Sequence, residues 1–220
     1  MPTDEEIKAG CAAYTKHTLK LYDLVVLGLS NRFIWCCPTA RLLAQYHQSM
    51  TQNHLDVGVG TGYFLDHCQL DEKRNRLALL DINEACLEVA RKRLARFLPE
   101  TIVADIYQPI KYQGEKFDSL GLNYVLHCIP GTMRQKSTVL CNLKTLLNAN
   151  GLVFGSTLLQ HGVRHNPVSR YLMAFYNKKR IFSTACDSLS DLTTILHTHF
   201  KDVRIEIVGC AALFSGRTFA

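Results

Sequence analysis

The 220-residue sequence lacks a hydrophobic run long enough to cross a membrane. Its main apolar stretch near the N-terminus, Leu24 to Leu29, reaches back to Leu21 only across Asp23, far short of the ~18 residues that suggest a span. No basic leader opens the chain. Asp4, Glu5 and Glu6 share the first ten residues with a single lysine, which is not the secretory pattern. The nine cysteines include no CxxC pair, so spacing draws neither a zinc site nor a disulfide framework, and reduced thiols in the cytoplasm are the expectation. His197 and His199 form an HxH pair, but no second ligand pair accompanies them, so no metal is expected. Internal repeats, linkers and low-complexity segments are also missing.

What is present is an ordinary globular composition, 47% hydrophobic and 20% charged, of a size suited to one domain over residues 1–220. The formal charge of +6 is modest. Part of it sits in Arg91, Lys92, Arg93 and Arg96, which share a helical segment and read as a solvated face, so no nucleic-acid partner is expected.

Residues 3–50 read as broken helix, with Pro38 interrupting and Thr39 capping a helix through Leu42, Leu43 and Tyr46. The period then changes. Short apolar strands are predicted at 54–57, 76–80, 101–104, 117–122 and 152–158, with helices between them, the fourth connection being a helix from about Arg134 to Asn148. Residues 161–190 read as irregular, apart from a helix beginning near Leu189. Strands alternating with helices imply a parallel sheet covered on both faces. The ending breaks that rule, since about two residues separate Val203–Val208 from Ala211–Phe214. No helical crossover fits there, so the last pair must be antiparallel.

Ligands of open α/β sheets bind beyond the carboxyl ends of the strands, and the residues at those ends carry chemistry here. Gly58, Gly60 and Gly62 follow the first strand and let the backbone turn sharply against a ligand. The dinucleotide pattern G-x-G-x-x-G would need a third glycine where Tyr63 stands, and no P-loop lysine follows. Asp56, just before the loop, suits a ligand bearing an ammonium or sulfonium better than a pyrophosphate. Asp81 ends the second strand, 19 residues after Gly62, where a carboxylate can accept both hydroxyls of a ribose. Asp105 ends the third, where an acceptor suits the exocyclic amine of adenine.

These residues resemble the class I S-adenosylmethionine-dependent methyltransferases, of the small-molecule type related to the ubiquinone and menaquinone methyltransferases. Asp56-Val57-Gly58-Val59-Gly60-Thr61-Gly62 matches that family's first motif, Leu79-Leu80-Asp81-Ile82 its ribose motif, and Ala104-Asp105-Ile106 its adenine motif. Asn123-Tyr124-Val125-Leu126-His127 matches the segment after its fourth strand, and Asn150-Gly151-Leu152-Val153 the turn into its fifth. The resemblance implies a Rossmann-like, doubly wound seven-stranded sheet of order 3-2-1-4-5-7-6 with strand 7 antiparallel. An N-terminal helical cap (1–50) would precede a cofactor-binding core (51–220). It also implies S-adenosyl-L-methionine as cofactor and S-adenosyl-L-homocysteine as product.

On this reading Asp56, Gly58, Gly60, Gly62, Asp81, Ile82, Asp105, Ile106, Asn123 and Tyr14 hold the cofactor, with Asn123 near its methionine end. Tyr22, Trp35, His161 and Tyr176 are candidate acceptor contacts, and His127 is the candidate general base, because imidazole titrates near neutrality. The acceptor would be a small, apolar or aromatic metabolite. Three other readings compete. A nucleic-acid methyltransferase, of RNA or DNA, is the first; the fourth-strand segment Asn123-Tyr124-Val125-Leu126 lacks the NPPY-like motif of amino-methylating DNA enzymes. A protein that keeps the fold but runs cyclase or isomerase chemistry is compatible with intact cofactor residues. A dehydrogenase is disfavoured by Tyr63. Oligomeric state is not readable.

Overall fold

The computed structural model describes residues 23–72 and 75–220, with side chains from residue 28 onward. Tyr14 and Tyr22 therefore lie outside the described residues. The chain enters through a π-type helical turn at Asp23–Ile34. Helix α1 is Thr39–Ser49. Pro38 takes the capping position, one residue earlier than predicted, while the Thr39 hydroxyl accepts from Asn31 Nδ2 at 3.0 Å. Strands β1 (Asn53–Val57), β2 (Arg76–Asp81), β3 (Glu100–Val103) and β4 (Phe117–Asn123) follow, separated by a single helical turn α2 (Tyr63–Asp66) and by α3 (Glu84–Arg93). Then come α4 (Met133–Lys144), β5 (Leu147–Leu158), α5 (Pro167–Lys178), α6 (Leu189–His199) and the hairpin β6 (Lys201–Val208) and β7 (Ala211–Arg217).

The strands form one sheet of order β3-β2-β1-β4-β5-β7-β6. The first five run parallel, and β7 lies antiparallel between β5 and β6. Strands β1, β2 and β4 are buried nearly throughout, as a parallel sheet covered on both faces requires. One face packs Leu55, Leu120, Leu140 and Ile195. The other packs Tyr46, Leu79, Ala90 and Phe154. Gln45 ties α1 down, its Nε2 donating to Gly155 O at 3.1 Å and to Phe214 O at 2.9 Å.

Two predicted elements differ from the observed ones. The helix predicted to reach Asn148 ends at Lys144, because Leu147 leaves it to pair with Phe117 across β4. The stretch predicted as irregular contains α5 (Pro167–Lys178), capped by Asn166, whose Oδ1 accepts from Ser169 N–H at 2.7 Å. Asn166-Pro167 is a helix-start pair, but the helix has exposed Val168, Tyr171 and Phe175 on one side and buried Ser169 and Met173 on the other. That distribution blurs the apolar period.

Candidate functional site

The carboxyl ends of β1, β2, β3 and β4 open onto one cavity of about 1170 Å³, its mouth included. Asp56, Gly58, Gly60, Asp81, Ile82, Asp105, Ile106 and Asn123 all line it. Gly62 does not; it is the left-handed residue that starts α2.

The glycine loop is shaped by need. Gly58 has φ +65°, and a Cβ on it would stand 2.4 Å from Val125 Cγ2. Gly60 has φ +55°, with nothing within 4 Å of where its Cβ would be, so its backbone faces open cavity. Gly58 N–H donates to Leu80 O at 2.8 Å, which locks the loop onto β2.

Each carboxylate is held by the elements around it. Asp56 is buried, and its Oδ1 accepts from Tyr46 Oη at 2.8 Å with His54 Nε2 at 3.6 Å. His54 is itself oriented by Ser119 Oγ, 2.8 Å from its Nδ1. A Cβ on Gly121 would reach to 2.4 Å from Asp56 Oδ1, so the next strand must carry glycine there. Asp81 accepts from Asn83 N–H at 2.9 Å. Burial pushes its carboxyl up to about 6, against the pull of backbone amides at Asn83, Ile82 and Gly60. Asp105 Oδ1 accepts from Tyr107 N–H at 2.9 Å.

Asn123 contributes a donor. Its Oδ1 accepts from Ser156 Oγ, while Nδ2 is buried without a partner. A buried amide N–H₂ at a cavity wall costs stability until something accepts from it. Tyr124, beside it, lines the cavity with φ +56°, an uncommon conformation for a residue with a side chain.

The other predicted contacts lie elsewhere. His127 does not line the cavity. Its ring is buried against Phe182, 4.7 Å between centroids, and Nδ1 accepts from Leu158 N–H at 3.3 Å. Burial, with Lys136 nearby, pushes its pKa down to about 3. The structure thus places His127 behind the cavity lining, not in it. Trp35 is buried behind the cavity, 6.5 Å from Tyr176 and 6.0 Å from Phe182. His161 is exposed and bonds Ala185 O at 3.0 Å through Nε2. His199 of the HxH pair meets Ser137 Oγ at 2.7 Å, and no metal-ligand cluster occurs among the described residues.

Sequence reasoning placed Tyr46 only as a helix residue and passed over Gly121. A glycine inside a buried strand was the available signal, since it often marks a close approach. The basic segment behaves as a solvated face: Arg93 and Arg96 pair with Asp66 at 3.2 and 2.6 Å, and Lys92 with Glu88 at 2.8 Å.

The residues fit an adenosyl ligand bearing an amino-acid tail. Two carboxylates beyond β2 and β3 are acceptors for hydroxyls and an amine, an open glycine backbone allows close approach, and an unpaired amide donor waits at the end of β4. A family model described as a methyltransferase domain matches residues 55–153. Methyltransferase aurB of Calcarisporium arbuscula is 39% identical over 207 residues, 88% of this chain and 90% of that protein. Demethylluteothin O-methyltransferase of Streptomyces thioluteus is 31% identical over 215 residues, 98% and 94% of the two chains. N-methyltransferase NodS from Bradyrhizobium japonicum WM9, solved in complex with S-adenosyl-l-homocysteine, shares the fold, with a TM-score of 0.60 at 16% identity over 93% of this chain and 98% of NodS. Sequence identity of this extent, met independently by a cavity suited to an adenosyl methyl donor, places the chain in the class I S-adenosylmethionine-dependent methyltransferase family, with S-adenosyl-L-methionine as its cofactor.

Proposed function

We propose that the protein methylates an oxygen, nitrogen or carbon atom of a small, apolar or aromatic metabolite. The observation that carries this is the single cavity into which Asp56, Asp81, Asp105 and the glycine loop converge. Relatives named for O- and N-methylation, such as the physcion biosynthesis cluster O-methyltransferase of Aspergillus chevalieri (32% identical) and N-methyltransferase vrtF of Penicillium aethiopicum (32% identical), support a small-molecule acceptor.

Asp81 would hold the ribose hydroxyls and Asp105 the adenine amine. Ile82 and Ile106 would offer apolar contact to the purine, Gly58 and Gly60 would give the backbone room, and Asn123 Nδ2 would serve the methionine end. Asp56, steadied by Tyr46, offers negative charge near the cationic part of the ligand. When bound, S-adenosylmethionine supplies a methyl already activated by a positive sulfur. The chain then has to align an acceptor and exclude water. Orientation of this kind supplies ~7–11 kcal/mol when the geometry is good. Trp35, Tyr176 and Phe182 stiffen the wall behind Tyr124.

The test is S-adenosylhomocysteine formation by the purified chain with S-adenosylmethionine and a set of phenols, amines and enols. Product above the protein-free control supports the reading. Cofactor uptake without product from any acceptor would favour non-methylating chemistry on the same fold.

A further inference from the structure

We propose that Tyr46, on the helix that precedes the sheet, is a positioning residue for the amino-acid end of the cofactor. Its hydroxyl fixes one oxygen of Asp56, so that the other oxygen meets the ligand's ammonium group. This deepens the methyltransferase reading and rests on it.

Asp56 is a carboxylate with donors but no cation. It is 4% exposed and lines the cavity. Its Oδ1 accepts from Tyr46 Oη at 2.8 Å, and His54 Nε2 stands 3.6 Å from the same oxygen. Both contacts fall on Oδ1, which leaves the lone pairs of Oδ2 to a ligand. Among the described residues no lysine or arginine pairs with Asp56; their ion pairs go to Asp66, Glu72, Glu88, Asp187, Asp191 and Glu206. A buried carboxylate is costly until a positive charge joins it, and at a cavity wall a ligand can bring that charge.

The Tyr46 hydroxyl is aimed by its ring. The ring stacks on Phe64 of α2, with 5.1 Å between centroids and 6° between planes, and meets Phe154 of β5 edge-on at 5.0 Å. Burial, with the Asp56 charge beside it, raises the hydroxyl well above the usual tyrosine range, so it stays a donor. Strand β4 gives up a side chain to make room. A Cβ on Gly121 would stand 2.4 Å from Asp56 Oδ1 and 3.3 Å from both His54 Nε2 and Tyr46 Oη. Three polar groups from α1 and β1 thus converge over a glycine, where an apolar core would be filled by an aliphatic side chain.

The neighbouring strand completes the pattern. Gly121 is the register partner of Asp56, and Asn123, two residues further along β4, faces the same side of the sheet. Asn123 Nδ2 is buried without a partner, while its Oδ1 accepts from Ser156 Oγ. One face of two adjacent strands therefore offers the cavity an acceptor and an unpartnered donor. An α-amino acid is their complement, since its ammonium donates and its carboxylate accepts. A nucleoside without that tail satisfies neither.

The test is calorimetric titration of the full chain, and of Tyr46→Phe, with S-adenosylhomocysteine and with its analogue lacking the amino group. Tyr46→Phe keeps the ring contacts and removes only the hydroxyl. The parent should hold S-adenosylhomocysteine at least tenfold tighter than the desamino analogue. Tyr46→Phe, checked for folding by circular dichroism, should weaken S-adenosylhomocysteine at least fivefold and change the analogue less than twofold. A hydroxyl with a merely structural role would weaken both ligands alike. Equal losses for the two ligands, unchanged affinity for S-adenosylhomocysteine, a parent that does not distinguish them, or a Tyr46→Phe chain that does not fold would each overturn the proposal. Failure of the methyltransferase reading looks different: the folded parent would take up neither ligand.

Discussion

Asp81, as the proposed ribose acceptor, would couple folding, protonation and binding in one side chain. Its carboxyl is raised to about 6 because burial penalises the charge. Hydroxyl donors favour the ionised form, so a ribose binds best once the proton has left. Affinity for S-adenosylhomocysteine should therefore hold steady above pH 6 and fall as pH drops below it, by up to tenfold per unit, with proton uptake on release of the ligand. Calorimetry in two buffers of different ionisation enthalpy checks this. Asp81→Asn should cost roughly 1.5–3 kcal/mol of binding at neutral pH and abolish the pH dependence. A folded-state pKa above the unfolded ~3.9 also means that the ionised carboxylate opposes folding. Its penalty is absent below the unfolded value and full above pH 6, so the same variant should melt at a higher temperature than the parent at pH 8 and not at pH 4. Gly60→Ala probes the loop differently. No atom obstructs the new methyl, so the backbone strain is about 1–2 kcal/mol and the fold should survive, while cofactor affinity falls tenfold or more.

At the scale of elements, a buried pair links α4 to the segment before α6. Lys136 Nζ donates to Asp187 Oδ2 at 2.6 Å and to Ser183 O at 2.7 Å, with both charged side chains inaccessible to solvent. Ser183 N–H in turn donates to His127 O at 2.8 Å, so the pair holds the chain after β4 in place. Lys136→Met leaves a buried carboxylate alone and should cost about 3–5 kcal/mol in urea denaturation, while Lys136→Met with Asp187→Leu should recover most of it. Asn166→Ala should lose about 1 kcal/mol with the α5 cap, read in the same experiment.

The elements also show what a sequence exposes and what it hides. Strands β1, β2 and β4 were legible because burial on both faces leaves short apolar runs that end in polar residues at Asp56, Asp81 and Asn123. The β6–β7 hairpin was legible because Gly209-Cys210 is too short for a crossover. Helix α5 was hidden, since its buried face carries Ser169 and its exposed face carries Val168, Tyr171 and Phe175. The placement of His127 was not legible for a different reason. Its motif position is at the site's mouth in sequence, but the turn after Tyr124 sends the imidazole inward, onto Phe182.

For the whole molecule, the sheet divides labour between its two halves. The acids that line the cavity stand at the ends of β1, β2 and β3, whereas the long stretch after Asp118 carries no carboxylate side chain until Asp187. No helix among the described residues is long and apolar enough to cross a membrane. The most direct measurement is calorimetric titration of the folded full chain with S-adenosylhomocysteine at neutral pH. A saturable exothermic isotherm with one ligand per chain, weakened at least tenfold by Asp81→Asn, is the predicted result. An absence of binding heat from protein shown to be folded by circular dichroism, or binding indifferent to Asp81→Asn, would contradict it.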